Sequence, residues 1–166
     1  MFQSRISPPR ARQDAGSAST SLRRRDARPA ATPDTAAAAV ERTLAGFEAA
    51  RTFFVDCFVG ADPSRETLFV AYLDRAAHCI HLSRHDGGEG GVDWPLRSIM
   101  LEAARCNCAG LIVAHNHPSG DPTPSPSDRD ATRRLATVGE ALDVTLVDHL
   151  IFAADECTSL RRLGLI

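Results

Sequence analysis

The chain predicts an α/β (α+β) fold with a mixed, twisted sheet flanked by helices. Three observations carry that expectation. Helical and extended patterns alternate through the second half of the sequence. A hairpin pattern precedes the alternation, so at least one strand pair is antiparallel. A wholly apolar run, residues 110–114, reads as a strand buried on both faces and ends at His115-Asn116-His117-Pro118-Ser119-Gly120.

Residues 1–33 are rich in Ser, Ala, Arg and Pro and poor in large apolar side chains. Too little surface is available there to offset the entropy of ordering, so this stretch is expected to be a disordered tail. Residues 34–60 read as an N-terminal helical segment. Asp34 or Thr35 caps a helix to about Ala50 with Val40, Leu44 and Phe47 on one stripe, and a second short helix follows over residues 51–58. Gly60-Ala61-Asp62-Pro63 ends it.

Residues 66–73 hold the aromatic and β-branched content of a strand. Asp74-Arg75-Ala76 turns the chain into a second strand over residues 77–83. His78 and His81 sit on that strand as surface or edge residues, and His85 falls in the glycine loop with Gly87, Gly88, Gly90 and Gly91. Pro95 opens a helix over residues 96–106, with Ile99, Leu101 and Ala104 turned inward. After the apolar strand, a helix is expected over residues 126–142, a buried strand over 144–152 and a last turn over 159–163.

Composition narrows the function classes. The chain has 166 residues and a net charge of −2, enough for one domain that folds on its own core. Residues 1–30 carry seven Arg against Asp14 and Asp26, about +5, so the rest is mildly acidic at about −7. An acidic body argues against a nucleic-acid surface on the folded part. Contact with DNA is expected, if anywhere, through the Arg-rich tail around Arg23-Arg24-Arg25. No apolar run reaches the roughly 18 residues of a membrane span. The five cysteines have no repeated spacing and no apolar leader precedes them. They read as small buried thiols of a cytoplasmic protein, and Cys106-x-Cys108 lacks the second pair that a structural zinc needs.

The chemistry lies in residues 115–128. Two imidazoles at i, i+2 on a strand end point to one face, and Asp128 returns at the start of the next helix. Two neutral nitrogens and one carboxylate oxygen are the protein ligands of a catalytic zinc whose fourth position is left to water. His115, His117 and Asp128 are therefore the metal ligands expected, for one Zn2+ per chain. A hydrolytic site also needs a carboxylate to move the water's proton and a donor for the developing oxyanion. Glu66 is the candidate base and Ser125 the candidate donor. Ser125-Pro126-Ser127-Asp128 is equally a capping box with Pro at N1, which accounts for Ser125 and Asp128 without a metal. Asp121 reads as a turn residue. Asp148-His149 reads as a satisfied pair at the end of a buried strand, or as a group that orients a ligand.

His115-x-His117-Pro118, then Ser125-x-x-Asp128, resembles the JAMM (MPN-plus) metalloprotease motif in residue type and spacing. HNHPSGDPTPS, the later LVDHLIF and the closing LRRLGLI are similar to the RadC branch of that superfamily, sometimes labelled a DNA-repair protein. The resemblance covers roughly residues 64–166. It implies a JAB/MPN fold similar to cytidine deaminases, zinc on His115, His117 and Asp128, Ser125 assisting at the oxyanion, and an upstream glutamate, matched by Glu66, as base. Two departures stand out. The helix-hairpin-helix module with which RadC proteins usually begin has no counterpart here, and residues 87–94 depart from the usual wording of that loop.

The expected function is a zinc-dependent metallohydrolase, a protease of JAMM type that cleaves peptide or isopeptide amides in a peptide or protein substrate. The rival is a non-catalytic DNA-repair or replication accessory module with a structural or vestigial metal site. A deaminase using the same zinc lacks the Pro-Cys-x-x-Cys such enzymes need.

Overall fold

Strand β1 (Thr67–Leu73) is buried along all seven residues, and its two alternating sets of side chains enter two different cores. In a computed structural model, which describes residues 42–87 and 94–166, Phe69, Ala71 and Leu73 join Leu44, Phe53 and Phe54 on one face of the sheet. Leu68, Val70 and Tyr72 join Ile99, Met100 and Leu135 on the other. A strand covered on both faces has no polar alternation, which is why this run reads as continuous apolar sequence.

The sheet has five strands in the order β2-β1-β3-β4-β5: β2 (Cys79–Asp86), β3 (Gly110–Asn116), β4 (Thr145–Ala153) and β5 (Glu156–Ser159). The pair β3–β4 is parallel and the other three are antiparallel. Helix α1 (Phe47–Phe58) covers one face, and α2 (Leu96–Cys106) and α3 (Pro126–Glu140) cover the other. The mixed α/β architecture expected from the sequence is the one observed.

Several local expectations are corrected. Residues 42–46 are not helical: Thr43 bridges to His78, and Gly46, at φ 87°, turns the chain into a single helix, α1. That backbone conformation suits only glycine without strain. Within the described residues, the part of the expected 34–50 helix from Phe47 onward and the short one over 51–58 form one element, and residues 34–41 of that expectation lie outside the described region. Strand β2 runs on to Asp86, so His85 is a strand residue, its Nε2 3.0 Å from Ser83 Oγ. In α2 the buried residues are Ile99, Met100 and Ala103, whereas Leu101 is exposed. Strand β5 has no counterpart in the sequence reading. The Arg-rich tail of residues 1–33 and the glycines from Gly88 onward in the loop are also outside the described residues.

The parallel pair carries an irregularity that matters for the site. Leu111 pairs with Leu146, but Ile112 pairs with Asp148, so β4 spends one extra residue at Val147. Such a bulge shifts every later side chain to the opposite face. Leu146 lies in the α2/α3 core, whereas Leu150 and Phe152 lie in the α1 core, and His149 comes to the α3 side beside Val113 and His115.

Candidate metal centre

His115 and His117 lie at the tip of β3, in step with Leu111 and Val113, so their side chains face α3. The loop after His117 returns the chain to Ser125, the N-cap of α3. Ser125 Oγ accepts from Asp128 N–H at 3.1 Å, and Asp128 Oδ2 accepts from Ser125 N–H at 2.8 Å. Pro126 stands at N1. The capping box anticipated from the sequence is thus present, and it aims the Asp128 carboxylate at the strand tip.

The three ligand candidates converge. His115 Nε2 lies 2.9 Å from His117 Nε2 and 3.2 Å from Asp128 Oδ1, and His117 Nε2 lies 3.4 Å from Asp128 Oδ2. Ligand atoms about 2.0–2.1 Å from a tetrahedral zinc are about 3.3 Å apart. The two imidazoles approach different oxygens of the Asp128 carboxylate at close to that separation, and one ligand atom from each of the three residues lies within 4.8 Å of the others. The donor set is therefore of the kind that closes on such an ion. Among the described residues this is the one cluster of His, Cys, Asp and Glu able to hold a metal ion.

The electrostatics point the same way. His117 Nδ1 is 2.7 Å from the Asp121 carbonyl oxygen, which can only accept. The ring therefore donates through Nδ1 and turns its Nε2 lone pair toward the cluster in its neutral form. The hydrogen bond to Asp128 raises the His117 pKa above its ordinary 6.5, against the opposing effect of burial. Burial works against ionisation of Asp128 too, but the His115 and His117 rings, which donate to it when protonated, and the Ser125 hydroxyl hold its carboxyl far below the usual range. Asp128 is thus held as an anion while the imidazole beside it gains a proton readily, so the cluster attracts positive charge, which is what a divalent cation supplies.

Around the cluster lies a cavity of about 400 Å³ lined by Glu66, Trp94, Ser119, Thr123, Ser125 and Asp128, among others. Glu66 immediately precedes β1, and β1 pairs with β3 so that Leu68 opposes His115. Glu66, the candidate base, therefore lines the same cavity as His117 and Asp128. Asn116 braces it: Oδ1 accepts from Thr67 N–H at 2.8 Å, and Nδ2 donates to the Arg65 carbonyl at 2.9 Å. The residue between the two histidines thus grips the backbone on both sides of Glu66. Ser125 Oγ gives its hydrogen to Asp128 Oδ2, at 2.6 Å. Rotation about Cβ–Oγ redirects that hydrogen without moving the cap. On the far side of His117 a second cavity, about 340 Å³, is lined mainly by apolar residues that include Val55, Phe58, Val59 and Phe152.

The remaining candidates resolve as follows. Asp121 is a turn residue whose Oδ1 accepts from Thr123 N–H at 2.8 Å. Asp148 and His149 are not partners through their side chains, and they lie inside β4 rather than at its end. Asp148 accepts from His149 N–H, Ser159 Oγ and Arg161 N–H, which ties down the turn after β5. The guanidinium of Arg161 also donates to the Val147 and Leu146 carbonyls. Both residues have hydrogen-bond partners, as the satisfied reading expects, and His149 also lies 2.8 Å from His115. Thr132, Trp94 and Asn116 were missed. Thr132 could have been found, because it lies one helical turn after Asp128 on the same face; nothing local marked Trp94. All five cysteines are free, and burial pushes the Cys57, Cys108 and Cys157 thiols up to about 12. No helix among the described residues is long and apolar enough to cross a membrane.

Comparison with known proteins agrees with this geometry. Residues 44–165 match the family described as the RadC-like JAB domain. The match takes in α1, which the motif resemblance over 64–166 leaves out. The chain is 49% identical over 67 residues to a UPF0758 protein of Roseiflexus sp. (strain RS-1), covering 40% of this chain and 29% of that protein. A UPF0758 protein of Thermotoga maritima is 52% identical over 68 residues, 41% of this chain and 31% of the relative. One from Syntrophomonas wolfei is 38% identical over 105 residues, 61% and 44% of the two chains. The chain thus spans less than half the length of these relatives. With the match covering both helical layers and the whole sheet, the chain belongs to the RadC-like JAB domain family.

Proposed function

We propose that this protein is a zinc-dependent hydrolase that cleaves peptide or isopeptide amide bonds. The convergence of His115 Nε2, His117 Nε2 and the Asp128 carboxylate, with Glu66 on the wall of the same cavity, supports this reading most directly. A zinc ion held by the three ligands supplies Lewis acidity and makes water a competent nucleophile near neutral pH. The protein's own groups account for the rest of the chemistry. Glu66 is placed to take the proton of the attacking water and return it to the leaving amine. Ser125 Oγ–H, turned from Asp128, donates to the oxyanion that develops on the carbonyl. The polar cavity and its apolar neighbour adjoin at His117, leaving room for a polypeptide on both sides of the scissile bond.

The test is metal analysis joined to turnover. The full chain is expected to bind one zinc, and His115→Ala and His117→Ala to lose it. Glu66→Gln should keep the metal and abolish cleavage across a panel of peptide and isopeptide substrates. Wild type without stoichiometric zinc, or Glu66→Gln with undiminished turnover, contradicts the assignment.

A further inference from the structure

We propose that Thr132 and His149 form a positioning pair that fixes His115 as its Nδ1–H tautomer and so delivers the Nε2 lone pair to the cation. This rests on the metal reading above and concerns residues that lie behind the ligands. Thr132 Oγ1 is 2.5 Å from the Asp128 carbonyl oxygen and 2.7 Å from His149 Nδ1, and His149 Nε2 is 2.8 Å from His115 Nδ1. All three side chains are buried, His149 completely.

The direction of each bond follows from counting hydrogens. The Asp128 carbonyl can only accept, so the single hydroxyl hydrogen of Thr132 goes to it. Thr132 Oγ1 must then accept, and His149 Nδ1 carries the hydrogen that it accepts. His149 is fully buried, and the hydrogen-bond partners of its ring are the Thr132 hydroxyl and the His115 ring, with no carboxylate among them to offset the charge of a second ring hydrogen. Its Nε2 therefore holds a lone pair and accepts from His115 Nδ1–H. A neutral His115 is left with its free lone pair on Nε2, the atom that faces His117 and Asp128.

The reverse arrangement is blocked at its far end. With the hydrogen on His115 Nε2, His149 would donate through Nε2 and Thr132 would donate to His149 Nδ1. Thr132 Oγ1 and the Asp128 carbonyl would then face each other at 2.5 Å with no hydrogen between them. That costs a buried hydrogen bond and sets two lone pairs in contact. The chain of bonds begins on the backbone of one ligand, Asp128, and ends on the ring of another, His115. The bulge at Val147 brings His149 to this face, and the edge of Trp94, its centroid 5.0 Å from that of His149, covers the ring.

Two measurements on the full-length chain test the pair. Zinc affinity is read by competition with a chromophoric chelator, for wild type, Thr132→Val and Thr132→Ser. The His115 tautomer is read from imidazole ¹⁵N shifts in the metal-free protein. Thr132→Val is expected to weaken zinc binding roughly 10- to 100-fold and to give a mixed or Nε2–H tautomer at His115. Thr132→Ser, which keeps the hydroxyl, should restore both. His149→Phe, checked for folding by circular dichroism, should weaken binding in the same direction. If Thr132→Val binds zinc like wild type, keeps the Nδ1–H tautomer, or behaves no differently from Thr132→Ser, the positioning role is overturned while the metal site stands. Wild type that binds no zinc overturns the metal reading itself, and this proposal with it.

Discussion

Replacing Asn116 by Ala separates the support of Glu66 from the support of the metal. The side chain makes two hydrogen bonds, to Thr67 N–H at 2.8 Å and to the Arg65 carbonyl at 2.9 Å. Each bond of this kind contributes about 0.5–1.5 kcal/mol net, so losing both costs about 2 kcal/mol. The Arg65 end is exposed, which pulls the expectation toward the lower part of that range. The functional cost should be larger than the stability cost suggests. With the clamp to β3 gone, the Glu66 backbone keeps its carbonyl bond from Gly87 N–H at 2.8 Å but loses its tie to the histidine strand. A shift of about an ångström relative to that strand costs on the order of 100-fold in rate. His115 and His117 remain held by the β3 ladder, by His149 and by the Asp121 carbonyl, so zinc content should not change. Urea unfolding, metal analysis and turnover on the same preparation give the answer. An unchanged unfolding midpoint, or zinc lost in step with activity, would falsify the clamp.

Gly139→Ala should lower the unfolding free energy by about 1–3 kcal/mol, read as a lower midpoint in a urea titration, because the added Cβ would stand 2.5 Å from the Val144 carbonyl oxygen. A wild-type midpoint would mean that α3 and β4 can separate without cost. Asp148→Ala leaves Ser159 Oγ and the His149 and Arg161 N–H groups without their acceptor, a loss of about 2–4 kcal/mol. Limited proteolysis should then open the C-terminal turn first, and a trypsin pattern identical to wild type would contradict it. Zinc affinity should fall as pH drops, since protons compete for the imidazoles. The His117 pKa is raised in the metal-free protein, so the decline should begin above pH 6.5 and deepen below it. Affinity that stays flat from pH 8 to 6 would show that the histidines are not ligands.

Much of the site was legible because its parts are local. The i, i+2 spacing of His115 and His117 on an apolar strand dictates a shared face. Ser125-Pro126-Ser127-Asp128 dictates a helix start that presents a carboxylate. Fold class followed from the same two periodicities. Misreadings arose where one pattern served two structures: Leu44 and Phe47 fit a helical stripe, but Gly46 separates them at φ 87°. Leu101 was assigned inward on periodicity, whereas the core meets Met100 and Ala103. Strand β5 is short and mostly polar, and it exists because the turn at Ala154–Asp155 brings the chain back onto β4.

Composition and spacing by themselves singled out the three side chains that converge, the cap that aims Asp128 at the histidines and the layered α/β plan, since each depends on patterns local in the chain. What surrounds the ligands depended on contacts across the sheet. His149 reaches His115 only because one extra residue in β4 reverses which side chains face α3. Asn116 meets Arg65 and Thr67 only because β1 lies antiparallel to β3 in one register. Strand register and bulges are set by packing among distant segments, so the groups that orient the site were decided by the tertiary structure alone.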